Sequence, residues 1–196
     1  MLTTPAPSFT AGALSPDGLT GSLVRLWPYA PGVYGRDALY RVWKAMEDDG
    51  ATKQAFWDDT HPETGADLVS FVKLFSGTDR VLLMIERLDT GKLCGCFWGG
   101  QVAIGHQAFV GMWRCKEARG ACSVDAARVA LRYTFQVGAF QQLWALTPWR
   151  VAGVLCRKMG FEPSGILQKF CQDGPYGRDV TIYHLAQEVF YGLNLS

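Results

Sequence analysis

A chain of 196 residues, 48% hydrophobic and 19% charged, has the composition of one folded domain, not of a disordered or collagenous polymer. Nineteen Lys and Arg against eighteen Asp and Glu leave a formal charge of +1, so there is no global field for nucleic acid or anionic lipid and any anion must meet a local site. The longest apolar runs, such as residues 81–85, are far too short to span a bilayer, and no membrane partner is expected.

Residues 1–22 are rich in Thr, Pro, Gly, Ala and Ser and lack the basic-then-apolar order of a secretory signal; they predict a flexible arm. Residues 23–196 then read as a single domain. Residues 23–27 alternate as a strand closed by Pro28 and Pro31. Residues 37–47 have helical spacing, with Leu39, Val42 and Met46 on one face, and Asp48-Asp49-Gly50 end it. A second helix is predicted over 65–75, with Leu68, Phe71, Val72 and Phe75 on one face.

Residues 80–88 and 93–105 read as strands around the turn Asp89-Thr90-Gly91-Lys92, and Gly99-Gly100 predict a bulge or bend in the second. Residues 107–114 complete an antiparallel meander. Over 124–137, Val124, Ala127, Leu131 and Phe135 form one helical stripe and Asp125, Arg128, Arg132 and Gln136 the opposite one. Asp125 is expected in the first turn of that helix and Gly138 at its stop. Residues 142–147 read as a strand and 149–159 as a helix stopped by Gly160. Two strands, 164–172 and 179–187, close the chain. This order predicts an α/β fold with a mixed sheet and a right-handed crossover from 107–114 to 142–147.

Six cysteines in mostly apolar surroundings predict free thiols in a reducing, cytoplasmic compartment. Cys94 and Cys96 would share one face of a strand. No second Cys/His pair at zinc spacing follows, so no metal site is expected.

The most informative segment is 113–123 (WRCKEARGACS), where a strand passes through a short basic loop into a helix. The first turn of a helix offers N–H groups without intrahelical partners and a partial positive charge. Gly120 and Ala121 admit a ligand close to the backbone, and Arg114, Lys116 and Arg119 surround it with charge. The segment matches neither the Gly-Lys-Ser/Thr of a Walker loop nor a three-glycine dinucleotide fingerprint. By itself it reads equally well as a pyrophosphate cradle or as a tight turn with solvated basic residues.

Residues 113–126 (WRCKEARGACSVDA) resemble the coenzyme A pyrophosphate motif of the GNAT acyltransferases: Gln or Arg, two residues, Gly, one residue, Gly or Ala. Residues 143–185 follow the layout of that superfamily's second half. Arg157-Lys158-Met159-Gly160-Phe161 is similar to the end of its second helix. Gly165-Ile166-Leu167, Asp173-Gly174 and Arg178-Asp179-Val180 are similar to its final hairpin. The spacing is closest to the ribosomal-protein N-terminal acetyltransferase type. The resemblance implies a GNAT-like mixed, mostly antiparallel central sheet flanked by helices. It also implies acetyl-CoA as co-substrate and direct acetyl transfer to an amine acceptor, a protein N-terminus or a small molecule. Met112, Trp113 and Arg114 would hold the pantetheine arm in a splay against residues 143–147. Arg119, Gly120, Ala121, Cys122 and Ser123 would hold the pyrophosphate.

The sequence departs from the family pattern at several positions. The loop is one residue shorter. Glu117 stands at the Gln/Arg position, Cys122 at a Gly/Ala position, and Trp149 where the branch commonly has Asn. Cys156 occupies the position of a Tyr general acid, which makes it the candidate acid. His106, heading the strand that leads to the loop, is the candidate base, and Glu86 is the second candidate. His61 and His184 have no partner pattern. Trp27, Tyr29, Tyr34, Trp57 and Trp98 are candidates to wall an acceptor cleft or to fill the core. The departures keep a second reading open: a GNAT-fold binding or assembly module without catalysis, for example a phage-encoded virion or host-interaction protein.

Overall fold

Alternating and helical apolar spacings become an eight-stranded sheet with helices on both faces in a computed structural model, which describes residues 19–29, 36–49, 80–101, 106–138, 140–171 and 177–193. The predicted helix at 65–75, and Tyr34, Trp57 and His61, lie outside these residues. The strands are β1 (Leu19–Thr20), β2 (Val24–Pro28), β3 (Arg80–Arg87), β4 (Leu93–Gln101), β5 (Gln107–Arg114), β6 (Gln142–Thr147), β7 (Glu162–Cys171) and β8 (Arg178–Ala186). The helices are α1 (Arg36–Asp48), α2 (Ala121–Gly138), α3 (Arg150–Lys158) and α4 (Gln187–Gly192). The sheet order is β1-β2-β3-β4-β5-β6-β8-β7. The β5–β6 pair is parallel, as a strand–helix–strand crossover requires, and the other pairs are antiparallel.

Each face of the sheet has its own core. On one, Leu39, Val42 and Met46 of α1 pack against Leu82, Met84, Cys96 and Trp113. These three α1 residues are the predicted stripe, and all are buried. On the other face, Ala126, Ala127, Ala130, Leu131 and Phe135 of α2 meet Val24, Leu26, Leu83, Ile85 and Phe97. The small side chains let α2 lie close to the strands, while Phe135 and Leu131 each stabilise by about 2–3 kcal/mol through burial.

Four expectations are corrected. The helix begins at Ala121, three residues earlier than periodicity suggested, so Asp125 is not in its first turn. Asp125 instead reaches the β1–β2 turn, where its carboxylate accepts from the N–H groups of Leu23 (2.6 Å) and Val24 (3.1 Å). That turn and β1 give order to residues 19–22, which composition had assigned to the arm. Gly138 ends the helix as expected, and its glycine is required because a Cβ would fall 2.1 Å from the Phe140 ring. Gly99 and Gly100 keep regular register with both neighbouring strands. The irregularity lies at Cys94, skipped between the rungs Ile85↔Gly95 and Glu86↔Leu93. One extra residue reverses the alternation. Cys94 therefore enters the α2-side core and Cys96 the α1-side core, instead of sharing a face.

Candidate active site

The parallel pair β5–β6 comes apart. Its rungs are Gln107↔Gln142, Ala108↔Leu143 and Phe109↔Trp144, and none follows. Beyond them β5 runs on to Arg114 still bonded to β4, and β6 runs on to Thr147 still bonded to β8. Backbone groups on the facing edges of the two strands thus open into a gap. The gap is a cavity of about 950 Å³, lined by both strands, by Ala127 and Leu131 of α2, by Leu155 and Cys156 of α3 and by Met159 at its C-terminal cap.

The open end of β5 leads into the basic loop. Arg114, Lys116 and Arg119 all line the cavity. Gly120 holds φ +79°, a left-handed conformation suited to glycine, and nothing stands within 4 Å of where its Cβ would be. The first backbone bond of α2 runs from Val124 N–H to the Gly120 carbonyl (3.2 Å), leaving the N–H groups of Ala121, Cys122 and Ser123 outside the intrahelical ladder. The Ser123 hydroxyl donates to the Ala118 carbonyl (2.9 Å) and accepts from Arg114 Nε (2.6 Å), which ties the end of β5 to the helix. Arg114 is half-buried, and no carboxylate pairs with it among the described residues. Burial first, and then the neighbouring Arg119, lower its proton affinity. A cation so placed favours an incoming anion. Glu117 is held below the usual carboxylate range, chiefly by its own backbone N–H and by Cys115. Its carbonyl, not its carboxylate, accepts from Arg87 (3.1 Å).

Across the cavity, α3 ends as its sequence predicts. Gly160 takes φ +86°, its N–H bonds to the Arg157 carbonyl (3.1 Å), and Phe161 N–H bonds to the Cys156 carbonyl (3.0 Å). This closure fixes Cys156 on the cavity wall. Burial pushes its thiol up to about 11, with Arg157 pulling weakly the other way. Trp149, at the start of α3, lines the cavity too; the Arg178 guanidinium stacks on its indole at 4.4 Å.

Two candidates lie elsewhere. His106 is exposed and is not among the cavity residues. It stands at the paired end of β5, at φ +30°, and its carbonyl accepts from the N–H groups of Gln141 (2.7 Å) and Gln142 (3.3 Å). Glu86 accepts from the Trp27 indole on β2, away from the cavity. Met112, Trp113, Arg114 and Arg119 do line the cavity, whereas Gly120, Ala121, Cys122 and Ser123 form the turn behind it. His184 packs on Trp144 and bonds Ser164. Trp98 is in the cavity wall, while Trp27 and Tyr29 are not. Sequence reasoning missed Asp48 and Asp49, which reach the cavity rim from the end of α1. It had read them as a helix terminator, and no local pattern ties that terminator to β5. No cluster of His, Cys, Asp and Glu suited to a metal ion occurs among the described residues, and Cys94, Cys96, Cys115, Cys122 and Cys156 are free thiols. No helix of the described residues is long and apolar enough to cross a membrane.

A mixed sheet that splits at the one parallel pair among its described strands, with a basic turn and a helix start at the mouth, defines an α/β class with a cleft inside the sheet. Comparison with solved structures makes the class specific. A spermidine N-acetyltransferase from Vibrio cholerae, solved with CoA and spermine, superimposes with TM-score 0.69 at 14% identity, over 86% of this chain and 98% of that one. Mycobacterium smegmatis RimJ in complex with CoA-disulfide gives 0.64 at 20% identity, over 88% and 85%. A ribosomal-protein-S5-alanine acetyltransferase from Vibrio fischeri gives 0.65 at 13%, over 84% and 93%. The chain has the GNAT fold, and the ribosomal-protein type indicated by the sequence spacing is among its structural neighbours. No family model and no curated protein sequence matches it.

Proposed function

We propose that this chain is an acyl-CoA-dependent N-acetyltransferase that moves an acetyl group onto an amine acceptor. The observation that carries the reading is the split between β5 and β6, which holds a large cavity with a basic helix start at one end. The residues present fit coenzyme A. Arg114 is a half-buried cation without a carboxylate partner among the described residues, and the open side of Gly120 leaves room for phosphate oxygens against the backbone. The solved neighbours that hold CoA support the same choice.

When bound, acetyl-CoA supplies a thioester carbon open to attack by an amine. Arg114, Arg119 and the N–H groups of Ala121, Cys122 and Ser123 hold its pyrophosphate. The unpaired edge of Met112–Arg114 bonds the amides of the pantetheine arm as a neighbouring strand would. A free N–H at the start of the split stabilises negative charge developing on the thioester oxygen. Cys156, protonated at neutral pH, donates toward the leaving sulfur. With its pKa at about 11 against about 8.5 for an ordinary thiol, the transfer is uphill, and the gap narrows only as the sulfur beside it is desolvated too. The acceptor must shed its ammonium proton before attack, to water or to a carboxylate at the rim. His106, at the zipped end of β5, takes no part in this scheme.

One observation favours a non-catalytic module: no histidine lines the cavity among the described residues. Titration calorimetry with acetyl-CoA decides between the two. The enzyme reading expects a dissociation constant within the roughly 1 μM–1 mM range of enzyme substrates. No heat of binding at millimolar ligand leaves the module.

A further inference from the structure

Trp98 of β4 and Gly111 of β5 face each other in register. A Cβ on Gly111 would fall 2.4 Å from Cε2 and Cζ2 of the Trp98 indole and 2.6 Å from its Nε1. The ring therefore does not stand upright on its own strand. It leans across β5 and occupies the place of a side chain at 111. β5 borders the split, and both residues line the cavity. On the other side the indole packs against the α1-face core, whose members include Leu82, Met84 and Trp113. The ring is thus held from behind, and it covers the cavity two residues from the last parallel rung, Phe109↔Trp144.

What lies under the ring follows from chain length, and this step rests on the acyl-CoA reading above. The pantetheine arm is roughly four residues of extended chain, about 14 Å at ~3.5 Å per residue. Measured back from Arg114 along β5 at ~3.3 Å per residue, that length ends at about Val110, next to Gly111. The acyl group then has the Trp98 indole above it and the closed rung at Phe109 ahead. We propose that Trp98, seated on Gly111, is the specificity-determining stop that restricts this protein to short acyl groups, acetyl above all. A longer chain must lift the indole out of the space that the missing side chain of Gly111 creates for it. The bare glycine and the tilted tryptophan are then one device.

The test compares acetyl-CoA, butyryl-CoA and octanoyl-CoA by calorimetry on the intact chain and on Trp98→Ala and Trp98→Phe. Binding needs no acceptor, so the result does not depend on which amine is used. The wild type should bind acetyl-CoA at least tenfold more tightly than octanoyl-CoA, since pocket discrimination of this kind runs from about 10-fold to 200-fold per methylene-sized misfit. Trp98→Ala should lower that ratio about tenfold or more, and Trp98→Phe, which keeps an aromatic ring and guards against loss of folding, should fall between. Equal wild-type affinity for the three ligands overturns the proposal. So does a ratio unchanged in both variants while acetyl-CoA still binds. Failure of every acyl-CoA to bind the wild type overturns the cofactor reading itself and the stop with it.

Discussion

The two ends of β5 behave differently. At its start, β5 is zipped to β6 by three rungs, and the backbone of His106 closes the seam. At its finish, β5 pairs with no described strand on that edge, and Arg114 leads the chain into a basic turn and the start of α2. His106, the candidate base, lies at the closed end, while the cavity, with Cys156 on its wall, lies at the open one. In a parallel pair, backbone donors and acceptors remain for a ligand only where the hydrogen bonding stops.

That contrast is broken most severely by reversing charge at the open end. Arg114→Glu should weaken acetyl-CoA binding about 100-fold or more, since it replaces a half-buried cation and frees Ser123. Arg119→Glu should cost about 10-fold, because its side chain is exposed and screened. Both are read by calorimetry, with circular dichroism to show that the fold persists. Next comes the turn. Gly120→Ala adds no clash, but it forces an L residue to φ +79°, and about 1–2 kcal/mol of stability should be lost in urea unfolding.

A smaller effect tests the far wall. Burial lifts Cys156 to about 11 and Cys94 and Cys96 to about 12, above the ordinary thiol range. The folded chain then holds protons that the unfolded chain releases. Stability should be full below about pH 9 and fall as pH rises toward 11–12, seen as a declining melting temperature in a reducing buffer. Over the same range, alkylation of Cys156 followed by peptide mass spectrometry should be slow at pH 8 and accelerate toward pH 11. The smallest effect belongs to the closed end. His106→Ala should leave kcat within about twofold on any amine acceptor that is turned over, whereas a general base typically contributes 10²–10⁴-fold. A loss in that larger range would restore His106 to the mechanism.

Much of this architecture was legible because it is written locally. The α1 stripe of Leu39, Val42 and Met46, the strand at 107–114 and the Gly160 stop each follow from spacing within a few turns of chain. The basic turn was legible for the same reason: strand end, basic loop and helix start are contiguous. What escaped depends on partners distant in sequence. Asp125 looked like a helix-start residue because its bond to the Leu23 and Val24 amides spans a hundred positions. The Cys94 bulge is set by β3, and it inverted the faces of Cys94 and Cys96. His106 was chosen by residue type and chain position. Its distance from the cavity depends on where β5 stops pairing with β6, which no residue of β5 encodes alone.

The most direct test of the open-end account is hydrogen–deuterium exchange with and without acetyl-CoA. Peptides covering 110–114, 119–124 and 145–147 should gain protection on binding, while those at 106–109 should not change. Protection confined to the zipped end, or spread evenly with no gain at 110–114 and 119–124, would contradict the claim that the split between β5 and β6 is the ligand site.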